Sequence, residues 1–134
     1  MKITSKILLI VLVILNLNLV EAQEKENFEN LIVNQWVLEK YEQNGEVSLP
    51  KGKHQNDTMI FYKNHKVKSI SCNATQKGIW EYNSENQTIT MFDKKNNLKM
   101  PLKIIKISNY ECIVEFDDAK GEKRKMFLKS LPKN

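Results

Sequence analysis

The sequence predicts an all-β domain: an eight-stranded antiparallel up-and-down barrel with one short helix before it. Apolar residues alternate with polar ones at period two from residue 36 almost to the end. Turn-forming residues recur at intervals of about ten positions, the spacing of short strands in a sandwich or barrel. Connectors after the first are of hairpin length, so neighbours in sequence become neighbours in the sheet. A meander of this kind can close on itself and remove both of its edges.

The chain has 134 residues, one domain on length alone. Lys2 and Lys6 precede an unbroken apolar run, Ile7 to Leu15, which Leu17, Leu19 and Val20 extend. Val20-Glu21-Ala22 follows, and the layout is that of a secretory signal peptide cleaved after Ala22. The expected organisation is therefore residues 1–22 as signal and 23–134 as the barrel domain, exported to a periplasmic or secreted location. The run falls short of the roughly 20 apolar residues that a membrane span needs, and Asn16 and Asn18 interrupt it. No stable span is expected after cleavage. No Cys follows the run, which argues against a lipid anchor.

Glu24 to Asn34 carries Phe28, Leu31 and Ile32 at helical spacing and reads as a short amphipathic helix. Trp36 to Gln43 is the first strand, and Asn44-Gly45 suits a tight turn. Glu46 to Asp57, with Pro50 and Gly52, reads as a long loop. The second strand is Thr58 to Lys63, the third Lys66 to Cys72, and Asn73 to Gln76 turns the chain. The fourth is Lys77 to Asn83, the fifth Gln87 to Asp93, the sixth Leu98 to Ile107. Tyr110 to Phe116 is the seventh and Glu122 to Leu131 the eighth, with Gly121 free to take positive φ between them.

Alternation assigns the inward face. Met59 with Phe61, Trp80 with Tyr82, Ile89 with Met91, Cys112 with Val114 and Phe116, and Met126 with Leu128 form the pairs. Met100, Leu102 and Ile104 share a face that Ile105 and Ile107 break, which predicts a bulge near Ile104–Ile105. Such an interior is either just filled by side chains or holds one small ligand; large residues favour filling, while methionines adapt to irregular space.

The net charge is +5, or +4 once residues 1–22, with two lysines and one glutamate, are removed. Arg124 is the sole arginine and the lysines are scattered, so the charge reads as solvated surface and no nucleic-acid partner is expected. Cys72 and Cys112 are either an exported-protein disulfide or two buried thiols, and they are too few for a zinc site. His54 and His65 read as exposed loop and turn residues, and Asp117-Asp118 as a turn. The four glycines are too widely spaced for a phosphate loop. Sequons begin at Asn56, Asn73 and Asn86, and Asp57-Thr58-Met59 has the form of a bacterial O-glycosylation acceptor. No catalytic residues, metal or cofactor are expected, and the chain is read as a non-enzyme.

Asn34-Gln35-Trp36 at the start of the first strand, the long loop, the hairpinned run after it and Lys77-Gly78-Ile79-Trp80 in the fourth strand together resemble the small exported lipocalin-like proteins of bacteria. The resemblance covers residues 28–131. Lipocalins open their first strand with Gly-x-Trp; Trp36 matches, and Asn34 stands where Gly is expected, a residue that tolerates left-handed backbone. Lipocalins also place a basic residue of the last strand over that Trp. Trp36 should lie near Leu128 to Ser130, whereas Arg124 falls at the other end of its strand and Lys129 faces outward.

The resemblance implies a binding protein for a small apolar or amphipathic ligand. That ligand would sit on a Trp36 floor against Phe61, Trp80, Tyr82, Val114 and Met126, with Asn44–Asp57 as a lid. The alternative is a solid barrel that acts through its surface on an envelope protein partner.

Overall fold

The computed structural model describes residues 23, 25–93, 95 and 97–131. The signal peptide expected over residues 1–22 lies outside them. A short helix, α1, covers residues 25–32. Nine strands follow: β1 (Gln35–Gln43), β2 (Glu46–Ser48), β3 (Thr58–Phe61), β4 (Lys66–Ser71), β5 (Ala74–Asn83), β6 (Thr88–Asp93), β7 (Leu98–Ile107), β8 (Glu111–Asp117) and β9 (Lys123–Ser130). Apart from β2, each pairs antiparallel with its sequence neighbour, and β9 returns to β1 to close an eight-stranded barrel. Closure aligns Trp36 with Ser130 and Leu38 with Leu128, the neighbourhood that antiparallel closure predicts for Trp36.

The predicted sixth strand matches β7 at both ends, and the register shifts between Ile104 and Lys106, where the bulge was expected. A second bulge lies in β1 between Leu38 and Lys40. The expected loop Glu46–Asp57 needs correction. Asn44-Gly45 takes positive φ at both residues and folds Glu46–Ser48 back onto β1, where Gln43 faces Glu46 and Tyr41 faces Ser48. All of β2 is exposed, so no burial pattern marks it as a strand. β1 thus gives one edge to β3 near its start and to β2 near its end. The expected turn Asn73–Gln76 also shrinks: Cys72 and Asn73 alone turn the chain, both at positive φ, and β5 begins at Ala74.

One end of the barrel is filled. Trp36, Trp80, Ile89, Leu102 and Cys112 are fully buried there. α1 caps this end with Phe28 and Ile32, and Phe28 stacks on Tyr82 with centroids 3.6 Å apart. The indole N–H of Trp36 donates to the Ile32 carbonyl at 3.0 Å, so helix and barrel floor are joined by a hydrogen bond as well as by packing. Trp80 donates to the Tyr62 carbonyl at 3.0 Å and stacks on His65. His65, read as a plain turn residue, also pairs with Glu29 of α1 at 3.1 Å. Asn34 has no left-handed backbone; its side chain accepts from the Gln35 N–H, and its carbonyl accepts from the Phe61 N–H. Among the described residues, no helix is long and apolar enough to cross a membrane.

Candidate functional site at the barrel mouth

The opposite end is built from the last residues of β1, β4, β6 and β8 and the first of β5, β7 and β9. Inward positions change character here. Ser69 faces Gln76 across β4 and β5, and Val67 faces Gly78, where the filled end has Trp80. Small and polar residues leave space. A pocket of about 130 Å³ opens among Val67, Ser69, Gln76, Met91, Leu98 and Met100. Gly78 also lines it, and has a second constraint: a Cβ there would lie 2.2 Å from the Phe92 carbonyl oxygen. A side chain at residue 78 would push β5 and β6 apart.

Beside this pocket the barrel wall is incomplete. β7 pairs with β8 from Lys103 onward, while Leu98 to Leu102 pair only with β6. Pro101, which has no N–H to donate, stands in the stretch unpaired toward β8. A cleft of about 290 Å³ follows, bordered by Lys99, Lys103, Glu115, Asp117 and Lys123, with Met100 and Phe116 as its apolar floor. Met100 belongs to both hollows. It is 39% exposed, so the inward position read from alternation is here a rim position.

Across the mouth, the Arg124 guanidinium lies 4.8 Å from the centre of the Tyr41 ring. This is the end of β9 remote from Trp36, as antiparallel closure predicts. Nε of Arg124 is buried without a hydrogen-bond partner among the described residues, and the Tyr41 ring face offsets part of that cost. Burial pushes the Tyr41 hydroxyl above its ordinary pKa, and the nearby Asp57 adds to the effect.

The loop over residues 44–57 does not line the pocket. It runs to the Cys72–Asn73 turn instead. Asp57 accepts from Ser71 Oγ at 2.9 Å and from the Cys72 N–H at 3.2 Å, and its other close partner is His54 Nδ1 at 2.8 Å. Burial alone would raise the Asp57 carboxyl; bonds from His54, Ser71 and the Cys72 amide outweigh it and hold the carboxyl below its ordinary range. Cys72 is exposed at this rim and Cys112 buried at the far end, both as free thiols.

The six residues expected to touch a ligand fall elsewhere. Trp36, Phe61, Trp80 and Val114 are buried core, and Tyr82 and Met126 pack partly buried against it. None lines the 130 Å³ pocket. Sequence reasoning missed Ser69, Gln76, Leu98 and the grouping of His54 with Asp57 and Cys72. The turn expected at Asp117-Asp118 begins one residue later: Asp117 closes β8 opposite Lys123, and Asp118 Oδ1 accepts from the Lys120 and Glu122 N–H groups in the turn. No family model matches the chain, and no curated protein is similar to it in sequence.

Proposed function

We propose that this protein is an exported, non-enzymatic, lipocalin-like binder of a small amphipathic molecule, which it holds at the open mouth. The reading is supported most by Met100, the residue shared between an apolar pocket and a charged cleft bordered by three lysines and two carboxylates. An apolar end would enter among Val67, Met91 and Leu98, and a polar end would lie among Lys99, Lys103 and Lys123 and the carboxylates of Glu115 and Asp117. Size bounds the ligand. A site for a drug-sized molecule is about 300–1,000 Å³, while an apolar cavity near 150 Å³ takes benzene. A pocket of about 130 Å³ therefore fits a single ring or a short acyl chain. The filled Trp36 end leaves no room for a longer tail.

Methyl NMR on protein labelled at methionine tests this with benzoate and hexanoate as probes. Saturable shifts at Met91 and Met100, with Met59 unmoved, are expected, and Met100→Trp should abolish them. Unmoved Met91 and Met100 resonances with every probe, in folded protein, reject the reading.

A surface for a protein partner is the second reading. It is favoured by Tyr110, 80% exposed beside Leu131, Leu31 and Asn34 at the helix-capped end. A stoichiometric protein partner lost on Tyr110→Ser, with no ligand response at Met100, would select it.

A further inference from the structure

We propose that Cys72, His54 and Asp57 form a reactive-thiol site on the barrel rim, which takes up small disulfides by thiol–disulfide exchange. The three come together from the long loop and from the tip of the β4–β5 hairpin. Cys72 Sγ lies 3.2 Å from His54 Nε2 and 3.4 Å from Nδ1. Nδ1 is also 2.8 Å from Asp57 Oδ2. A carboxylate accepts and cannot donate, so Nδ1 carries the proton and Nε2 is left with the lone pair. Nε2 is therefore the basic atom of the ring; Sγ stands almost equally far from both nitrogens, and a turn of the half-exposed His54 ring brings the Nε2 lone pair onto the thiol proton, while Asp57 holds Nδ1 and balances the imidazolium that results. Asp57 is itself held by Ser71 and by the Cys72 amide, so thiol and carboxylate are fixed to one another through the backbone.

Placement agrees with reactivity. The thiol is exposed, and His54 is half exposed, so a reagent can reach both. Cys72 and Asn73 adopt φ of 52° and 64°, the paired positive values of a two-residue hairpin turn, where Asn and Gly are favoured. Cysteine brings no conformational benefit there. The Ser69–Gln76 pair behind the turn lines the mouth pocket, so an adduct on Cys72 would sit beside it. Tyr41 of β1 is the other titratable group facing the thiol, with Arg124 of β9 against its ring. Among the described residues, no such cluster has the geometry to hold a metal ion.

In the exchange, Nε2 takes the Cys72 proton and the thiolate attacks one sulfur of a disulfide RS–SR. The Cys72–SR bond forms as the RS–SR bond breaks. The leaving RS⁻ takes the proton back from Nε2, so Cys72 is oxidised to a mixed disulfide and one RS group is reduced to RSH.

The test is the rate at which the full chain releases coloured thiolate from dithiobis-nitrobenzoate at about pH 6, where an ordinary cysteine is almost wholly protonated. Intact mass and peptide mapping should place the adduct on Cys72 and not on Cys112. The expected rate is about tenfold above that of N-acetylcysteine, falling to the reference level in His54→Gln and partway in Asp57→Asn. His54 is a surface residue, so His54→Gln stays folded by far-UV circular dichroism even if Asp57→Asn does not. A wild-type rate equal to that of N-acetylcysteine, or an unchanged rate in His54→Gln, overturns the proposal.

Discussion

The two ends of this barrel share the same strands and differ in what the strands point inward. At the helix-capped end the inward layer is Trp36, Trp80, Ile89, Leu102 and Cys112, all fully buried, and both indole N–H groups have carbonyl partners. At the mouth the same strands present Ser69, Gln76, Gly78, Met100 and Arg124. The capped end excludes water and carries the core. The mouth keeps a small apolar pocket, an opened seam between β7 and β8, and a rim with a thiol, an imidazole and a carboxylate. Stability and chemistry are thus separated along the barrel axis: one end can vary its reactive residues because the other holds the strands in register.

The sharpest way to break that comparison is to truncate one residue at each end. Trp36→Ala removes a fully buried indole and its bond to Ile32, and should cost about 3–5 kcal/mol. That is a large share of the 5–15 kcal/mol that usually holds a domain together. Met100→Ala at the half-exposed rim should change stability by no more than about 0.5 kcal/mol. Urea unfolding midpoints of the two variants check this, and equal losses would mean that the mouth carries as much of the core as the floor.

Gly78→Ala tests the boundary between the ends, because Gly78 lines the pocket two residues from the buried Trp80. The added Cβ would meet backbone, the Phe92 carbonyl oxygen at 2.2 Å, and not a flexible side-chain tip. β5 and β6 must separate to admit it, for about 2 kcal/mol by analogy with overpacked cores. The urea midpoint should drop accordingly, and the Met91 resonance should move without any ligand. A variant as stable as the parent would show that the two strands separate freely at this point.

The capped end was far more legible in the sequence than the mouth, for a physical reason. Closure, the Trp36–Ser130 alignment and the Ile104–Ile105 bulge follow from alternation, and alternation is strong where every second side chain is large and buried. β2 gave no such signal, because all three of its residues face solvent. Ala74 to Gln76 read as turn for the same reason, although Gln76 points into the mouth. Choosing ligand contacts by size selected Trp36, Phe61 and Trp80, and size is what makes them fill the interior. Pocket residues are those that leave space, and Ser69 or Gly78 looks unremarkable in a string. His54 and Cys72 are 18 positions apart and meet only through a loop conformation, so no spacing rule could pair them. The one local hint was a cysteine at a position that a tight turn would give to Asn or Gly.

The buried thiol at the capped end sharpens the comparison through its response to base. Burial pushes the Cys112 thiol from its ordinary 9.0 up to about 12. The folded chain therefore keeps Cys112 protonated at a pH where the unfolded chain would ionise it. Because the folded value is raised, this contribution is fully present below the unfolded value of 9.0 and is lost as pH rises through about 12. At pH near 10 the loss should be about 1.4 kcal/mol, roughly one unit of differential protonation. Cys112→Ala costs stability at every pH through the space it leaves, but it should flatten the decline between about pH 9 and 11 by about 2 kcal/mol. Guanidinium unfolding of the parent and Cys112→Ala across that range reads both slopes, and a Cys112→Ala profile parallel to the parent would mean that base reaches the floor of the barrel freely.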